Sequence, residues 1–249
     1  MSDVAQLFGA RADAYASFRP AYPDTLFDWL AAHSPGRRLA LDIACGNGQA
    51  SHPLLRHFER VLACDASVAQ LAQTQPAAGL HLLAADARQQ PLADASVDLI
   101  VVAQALHWFA DAAFFAEVAR LLRPGGLFCA WCYSLMSINA RLDPLIEHFY
   151  ASTLAGCWPT GRSSVDAGYS DIQAPLQPLP VPPFAIRAQW DLAQLLGYLR
   201  TWSAVQRWEQ CHGRDPVAEL APALRGAWGD ESERRTVVWP LHFLAGTPT

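Results

Sequence analysis

The sequence predicts an α/β fold, a doubly wound and mostly parallel sheet with helices on both faces. Three observations predict it. Short apolar runs bounded by turn residues recur through the first half of the chain, and stretches with helical spacing lie between them. Of the 249 residues, 52% are hydrophobic and only 16% are charged, which supplies a sizeable core and no compositional case for disorder.

Taken in order, the first 35 residues read as a helical lead-in, broken at Arg19-Pro20 and again at Tyr22-Pro23. The strand-like runs are 38–44 (RLALDIA), 60–64 (RVLAC), 80–84 (LHLLA), 97–103 (VDLIVVA) and 127–133 (LFCAWCY). Residues 49–58, 67–75 and 111–122 separate them with helical patterns; in the last, Phe114, Phe115, Val118, Leu121 and Leu122 recur at helical spacing. Strands joined through helices in so short a span imply crossover connections and an open sheet.

Beyond residue 134 the pattern changes. Residues 156–170 are small and polar and 174–183 (APLQPLPVPP) are proline-rich, so this stretch reads as an excursion or linker. Asp191 then caps a long helix with Leu192, Leu195, Leu196, Leu199, Trp202 and Val205 in one stripe. A proline-started helix follows over 216–228. Residues 236–245 (TVVWPLHFLA) read as a last strand, with Pro240 arguing for an edge or a bulge. The expected organisation is a lead-in or lid (1–35), a ligand-binding core (36–133), a substrate cap (134–230) and a final strand of the core sheet (231–249).

All 18 basic side chains are arginine, against 23 acidic ones, for a net charge of −5. Without lysine there is no Schiff base and no P-loop lysine, and any active-site cation is arginine or protonated histidine. The acidic balance offers no broad field for a nucleic-acid backbone. No basic-then-apolar leader opens the sequence, and no apolar run approaches about 18 residues. The expectation is a cytoplasmic protein with neither nucleic acid nor membrane as partner. The single C-x-x-C, Cys129 and Cys132, falls on a strand, where residues three apart diverge, so no metal is expected.

The run Leu41-Asp42-Ile43-Ala44-Cys45-Gly46-Asn47-Gly48 carries the chemistry: a buried strand with an acidic residue, then a glycine turn opening a helix. A dinucleotide fingerprint requires glycine at 51, where Ser51 stands. A carboxylate at Asp42 suits a cationic group better than a pyrophosphate. Asp65, at the end of the second strand, is placed to accept from ribose hydroxyls, and Asp86, ending the third strand in LLAADA, to meet an adenine amino group. The ligand is then a nucleoside with a positive tail.

These residues, with VDLIVVAQALHWF and LLRPGGLF in the same order, resemble the class I S-adenosylmethionine-dependent methyltransferases of the type 11, small-molecule branch. The segments YASFRPAYP and AQALHWF are similar to the subgroup that includes trans-aconitate methyltransferase. The resemblance implies a Rossmann-like seven-stranded sheet with an antiparallel last strand and a helical cap; residues 184–189 and 236–245 are then candidates for the sixth and seventh strands. It further implies that Asp42, Gly46 and Gly48 hold the methionine part of S-adenosyl-L-methionine, Asp65 the ribose and Asp86 the adenine. Ala87 and Gln104 would complete the pocket, and Pro124-Gly125-Gly126 would be a structural turn.

His107 and Trp108 lie past the fourth strand, at the edge where ligands enter such sheets. His107 is the candidate general base for a hydroxyl or amine acceptor, with packing against the cap as the competing role. Tyr15, Arg19 and Tyr22 are candidates for a lid or for docking the first helix. The acceptor is expected to be a small molecule, its methylated atom open between oxygen, nitrogen and carboxylate. Two other readings stay open: a non-catalytic S-adenosylmethionine-binding or regulatory module, and an NAD(P)-binding oxidoreductase, which Ser51 and Asp42 disfavour. The sequence leaves the oligomeric state open.

Overall fold

The computed structural model describes residues 20–249, so Tyr15 and Arg19 lie outside the described residues. The chain forms two compact units. One contains Tyr22–Tyr133, Ser163–Phe184 and Leu241–Thr249; the other contains Ser134–Arg162 and Ala185–Pro240.

The first unit is built on seven strands: β1 (Leu39–Ile43), β2 (Arg60–Asp65), β3 (Leu80–Ala84), β4 (Val97–Ala103), β5 (Leu122–Cys132), β6 (Leu176–Pro178) and β9 (His242–Pro248), in the order β3-β2-β1-β4-β5-β9-β6. The first five pair in parallel, and β9 runs antiparallel to both β5 and β6. In β4 the six residues from Val97 to Val102 are all buried, as the run VDLIVV requires of a strand covered on both faces. Strand order reverses between β1 and β4, and the crevice beyond their carboxyl ends is where such sheets bind ligands.

Helix α1 (Asp24–Ala32) buries Leu26, Phe27 and Leu30. Its Phe27 and the preceding Tyr22 meet the Trp131 ring edge-on, with centroids 6.4 and 5.4 Å away. The crossovers after β1 and β2 hold only single turns, α2 (Ser51–Leu54) and α3 (Val68–Leu71), and residues 85–96 join β3 to β4 without a helix. The longer α4 (Ala112–Leu121) is capped by Asp111, which accepts from the Phe114 N–H at 3.0 Å, and it buries Phe114, Phe115, Val118 and Leu121 against the sheet.

The second unit contains α5 (Asp143–His148), continued by a π-helical turn over Phe149–Thr153, and then β7 (Ala185–Trp190), α7 (Leu192–Arg200), α8 (Ser203–His212), α9 (Pro216–Trp228) and β8 (Arg235–Pro240). A short helix, α6 (Arg162–Asp166), lies where the chain passes back into the first unit. Strands β7 and β8 form a separate antiparallel pair. The tryptophans concentrated late in the sequence make this unit's core: Trp202 packs among Phe149, Tyr150, Trp158 and Tyr198, and Trp190 packs on Trp239.

Four expectations are corrected. Residues 163–184, read as part of an uninterrupted cap and as a linker, return to the sheet, because Val165 and Tyr169 bury into its core and Leu176–Pro178 supplies the edge strand. A proline in β6 is tolerated there, since an edge residue need not donate. The sixth strand is therefore β6, and 185–190 pairs with β8 outside the sheet. The single last strand over 236–245 is two strands meeting at Leu241, where Pro240 has no N–H to continue a ladder. The long helix after Asp191 is likewise two: the Thr201 hydroxyl donates to the Tyr198 carbonyl at 2.6 Å, closing α7, and Trp202 turns extended to start α8.

At the opposite end of the sheet from the crevice, Asp98 is 1% exposed and gathers three donors: the N–H groups of Arg38 and Leu39 at 2.8 and 2.9 Å and the Arg123 guanidinium at 2.6 Å. Truncation orphans all three. Asp98→Ala is expected to cost about 3 kcal/mol in urea unfolding, with Asp98→Asn in between.

Candidate functional site

At the carboxyl ends of β1 and β2 the backbone turns through left-handed conformations at Ala44 (φ 55°), Gly46 (57°) and Gly48 (84°). The loop is tied down from the next strand. One oxygen of Asp65 accepts from the Gly46 N–H at 2.9 Å and the other from the Ser67 N–H at 2.8 Å, while the Cys45 N–H donates to the Cys64 carbonyl at 3.0 Å. The two glycines differ in kind. Among the described residues a Cβ on Gly46 would meet only Gln70 Oε1, at 3.9 Å, which leaves that face of the loop room for a ligand. One on Gly48 would fall 2.8 Å from Thr74 Cγ2, so Gly48 serves close packing.

Asp42, at the end of β1, is fully buried. Ser51 Oγ donates to its Oδ2 at 2.5 Å, while Oδ1 has no hydrogen-bond partner among the described residues. Burial pushes this carboxyl up to about 7, against the hydrogen bond from Ser51 and with the help of the Asp65 charge. The same burial, with Asp42 and Asp65 near, holds the Cys45 thiol far above its ordinary range, so it stays protonated and unreactive. Ser51, which in the sequence registered only as a missing glycine, is what supports the buried acid.

Asp86 lies two residues beyond the end of β3. Its Oδ1 accepts from the Arg88 N–H at 2.8 Å, its side chain is 64% exposed, and Ala87 beside it is half-buried. Gln104 holds a left-handed conformation (φ 60°) at the end of β4; its N–H donates to the Trp131 carbonyl at 2.9 Å and its Nε2 to the Tyr133 carbonyl at 3.2 Å. Its side-chain amide is thus partly spent on joining the ends of β4 and β5. Tyr22 is 6% exposed against Trp131, which makes it a docking residue for α1.

His107 and Trp108 belong to a single 3-10 turn, Leu106–Trp108, with ring centroids 4.7 Å apart. His107 Nδ1 stands 3.5 Å from the hydroxyl of Tyr169, a buried residue in the small and polar stretch 156–170. Both His107 and Trp108 line a cavity of about 860 Å³ within the first unit, together with Arg88, Asp111, Phe115 and Asp171. The sheet therefore gathers Asp42, Gly46 and Asp65 around one loop and leads the chain from Asp86 and from Gln104 directly to the cavity wall. Ser51, Thr74 and Tyr169 were missed because each contacts the site from another element.

Ala44 carries a Cβ where the turn demands a positive φ. Ala44→Gly is expected to raise stability by about 0.5 kcal/mol, and Gly48→Ala to lower it by about 2 kcal/mol, part of which Thr74→Ser returns by removing the clashing methyl. Urea unfolding of the single and double variants measures all three.

Residues 41–130 match the family of the methyltransferase domain. Over 244 residues the chain is 30% identical to a Dictyostelium discoideum protein described as a methyltransferase, covering 95% of this chain and 93% of that one. A solved structure of an Anaeromyxobacter dehalogenans protein, described as a type II methyltransferase, superposes with a TM-score of 0.88 at 42% identity over 93% of this chain and 100% of that one. A malonyl-[acyl-carrier protein] O-methyltransferase of Serratia marcescens is 34% identical over 117 residues, 46% of this chain and 45% of that one. With the sheet order, the glycine loop and its buried acid, these similarities make this chain a member of the class I S-adenosylmethionine-dependent methyltransferases.

Proposed function

We propose that this chain transfers the methyl group of S-adenosylmethionine to a small molecule bound beside His107. The observation that carries the reading is Asp42: a buried carboxyl at the end of β1, four residues before Gly46, with one oxygen unpartnered among the described residues. A cationic amino acid tail satisfies that oxygen, and a pyrophosphate does not. The residues present thus fit the cofactor.

When bound, S-adenosylmethionine supplies an electrophilic methyl group on a sulfonium whose charge is lost as the methyl leaves. The residues act around that centre. Asp42 and the Gly46 backbone hold the ammonium end, Asp65 accepts from the ribose hydroxyls while still bracing the loop, and Asp86 with the Ala87 backbone meets the adenine edge. Gln104 closes the pocket where β4 ends. His107 takes the proton from an acceptor hydroxyl or ammonium, with Tyr169 at its other nitrogen. Most of the acceleration comes from holding acceptor and methyl in line and away from water, an effect of about 7–11 kcal/mol in well-oriented systems. A cavity of about 860 Å³ is of the size that encloses a small molecule. The resemblance to the Serratia marcescens enzyme covers about half of each chain and so does not carry its acceptor over.

Titration calorimetry with S-adenosylmethionine and its demethylated product tests the site. Tight binding of both is expected, with Asp65→Ala weakening each by at least about tenfold. Absence of binding to the wild-type protein overturns the reading. His107→Gln is expected to leave cofactor binding unchanged and to lower the turnover of hydroxyl or amine acceptors by about a hundredfold.

Asp42 adds a pH signature. Its carboxyl sits at about 7 in the folded chain against an ordinary 3.8, so the free protein loses stability from this group as pH rises from about 4 to 7. An ammonium against Oδ1 favours the charged carboxylate, so binding releases a proton and tightens as pH rises. Affinity for S-adenosylmethionine is expected to increase about tenfold between roughly pH 5.5 and 7.5, and Asp42→Asn to abolish the increase. A pH-independent wild-type affinity removes Asp42 from the ammonium.

A further inference from the structure

We propose that the cavity beside α4 selects planar acceptors carrying an amino group and disfavours those carrying a carboxylate, an inference that rests on reading the cavity as the acceptor site. The described residues that line the cavity belong to the first unit: the segments leaving β3 and β4, the outer face of α4 and the stretch around Asp171. Its charges are unequal. Among the described side chains that line it stand one guanidinium, Arg88, and two carboxylates, Asp111 and Asp171.

That guanidinium is already engaged. Arg88 Nε donates to Asp111 Oδ2 at 2.8 Å, and its Nη1 lies 3.9 Å from Asp86. Asp171 is exposed and accepts from the Ser164 hydroxyl at 2.6 Å, and among the described residues no ion pair neutralises it. A carboxylate entering the cavity meets Asp171 with its nearest cation committed elsewhere, and its desolvation goes uncompensated. An ammonium instead gains a charge-assisted partner in Asp171.

The remaining wall suits a flat body attached to that ammonium. His107 and Trp108 line it with aromatic rings 4.7 Å apart, against which a planar cation can pack. On α4 the exposed positions Ala112, Ala116 and Ala119 leave room opposite. The Arg88–Asp111 pair closes one end without offering a free positive charge. The arrangement reads the sign of the ligand's charge through Asp171 and its shape through Trp108.

Tyramine and para-hydroxyphenylacetate share a ring and differ in the sign of the terminal charge. Titration of each into the full chain saturated with S-adenosylhomocysteine is expected to show tyramine binding about tenfold more tightly. Asp171→Asn, at an exposed position, is expected to reduce the preference to about twofold, and Trp108→Ala to weaken both probes equally. Equal affinities, a preference for the carboxylate, no tyramine binding at millimolar concentration, or a preference unchanged in Asp171→Asn each overturns the inference. S-adenosylhomocysteine binding in the same cell reads the cofactor site separately, and the tyramine titration is repeated without it, so failure of the methyltransferase reading and failure of the acceptor preference are distinguished.

Discussion

The carboxylate of Asp65 is the joint on which the site depends. Parallel strands end with backbone N–H groups that no neighbouring strand accepts, and the loops leaving β1 and β2 would otherwise open these groups to water. Asp65 accepts one from each loop, Gly46 on one side and Ser67 on the other. With the loop held, the chain continues into α2, whose Ser51 reaches back to the buried Asp42. Position, charge and openness of the candidate cofactor site thus follow from one side chain at the end of one strand.

The lack of lysine shapes the electrostatics more than the chemistry. Every permanent side-chain cation is a guanidinium, whose fork joins several acceptors at once. Arg120 contacts Asp94, Glu117 and the carbonyls of Leu92 and Gln90, lashing the helix-less connection before β4 to α4. Arg123 pairs with the buried Asp98 at the end of the sheet opposite the crevice. Arg88 bridges the loop after β3 to the cap of α4, and there the fork is spent within the protein. A cavity wall that contains arginine is, for this reason, not the same as one that offers a cation.

The two units solve different packing problems. In the first, aliphatic runs such as VDLIVV bury between layers of helices. In the second, aliphatic stripes such as Leu192, Leu195 and Leu199 are joined by a cluster of rings: Trp202 among Phe149, Tyr150, Trp158 and Tyr198, with Arg162 over the faces of Tyr150 and Trp158 at 5.2 and 4.8 Å.

What the sequence determined by itself is local in origin. Continuous apolar runs specified central strands such as β4, because burial on both faces needs no knowledge of partners, and turn residues bounded the more exposed edge strand β3. Asp42 and Asp65 were legible for the same reason, since a strand followed by a turn delivers its last acid to the carboxyl edge. Tertiary structure decided what depended on distant pairing. The proline-rich stretch around Leu176 became an edge strand because β9 offered it a ladder, and the run across Pro240 split because its halves found different partners. Tyr169 reached His107, and Asp171 the cavity, only because Val165 and Tyr169 anchor that excursion in the core. Periodicity reports which residues are buried, whereas contacts between residues far apart in the chain are set by how the layers close.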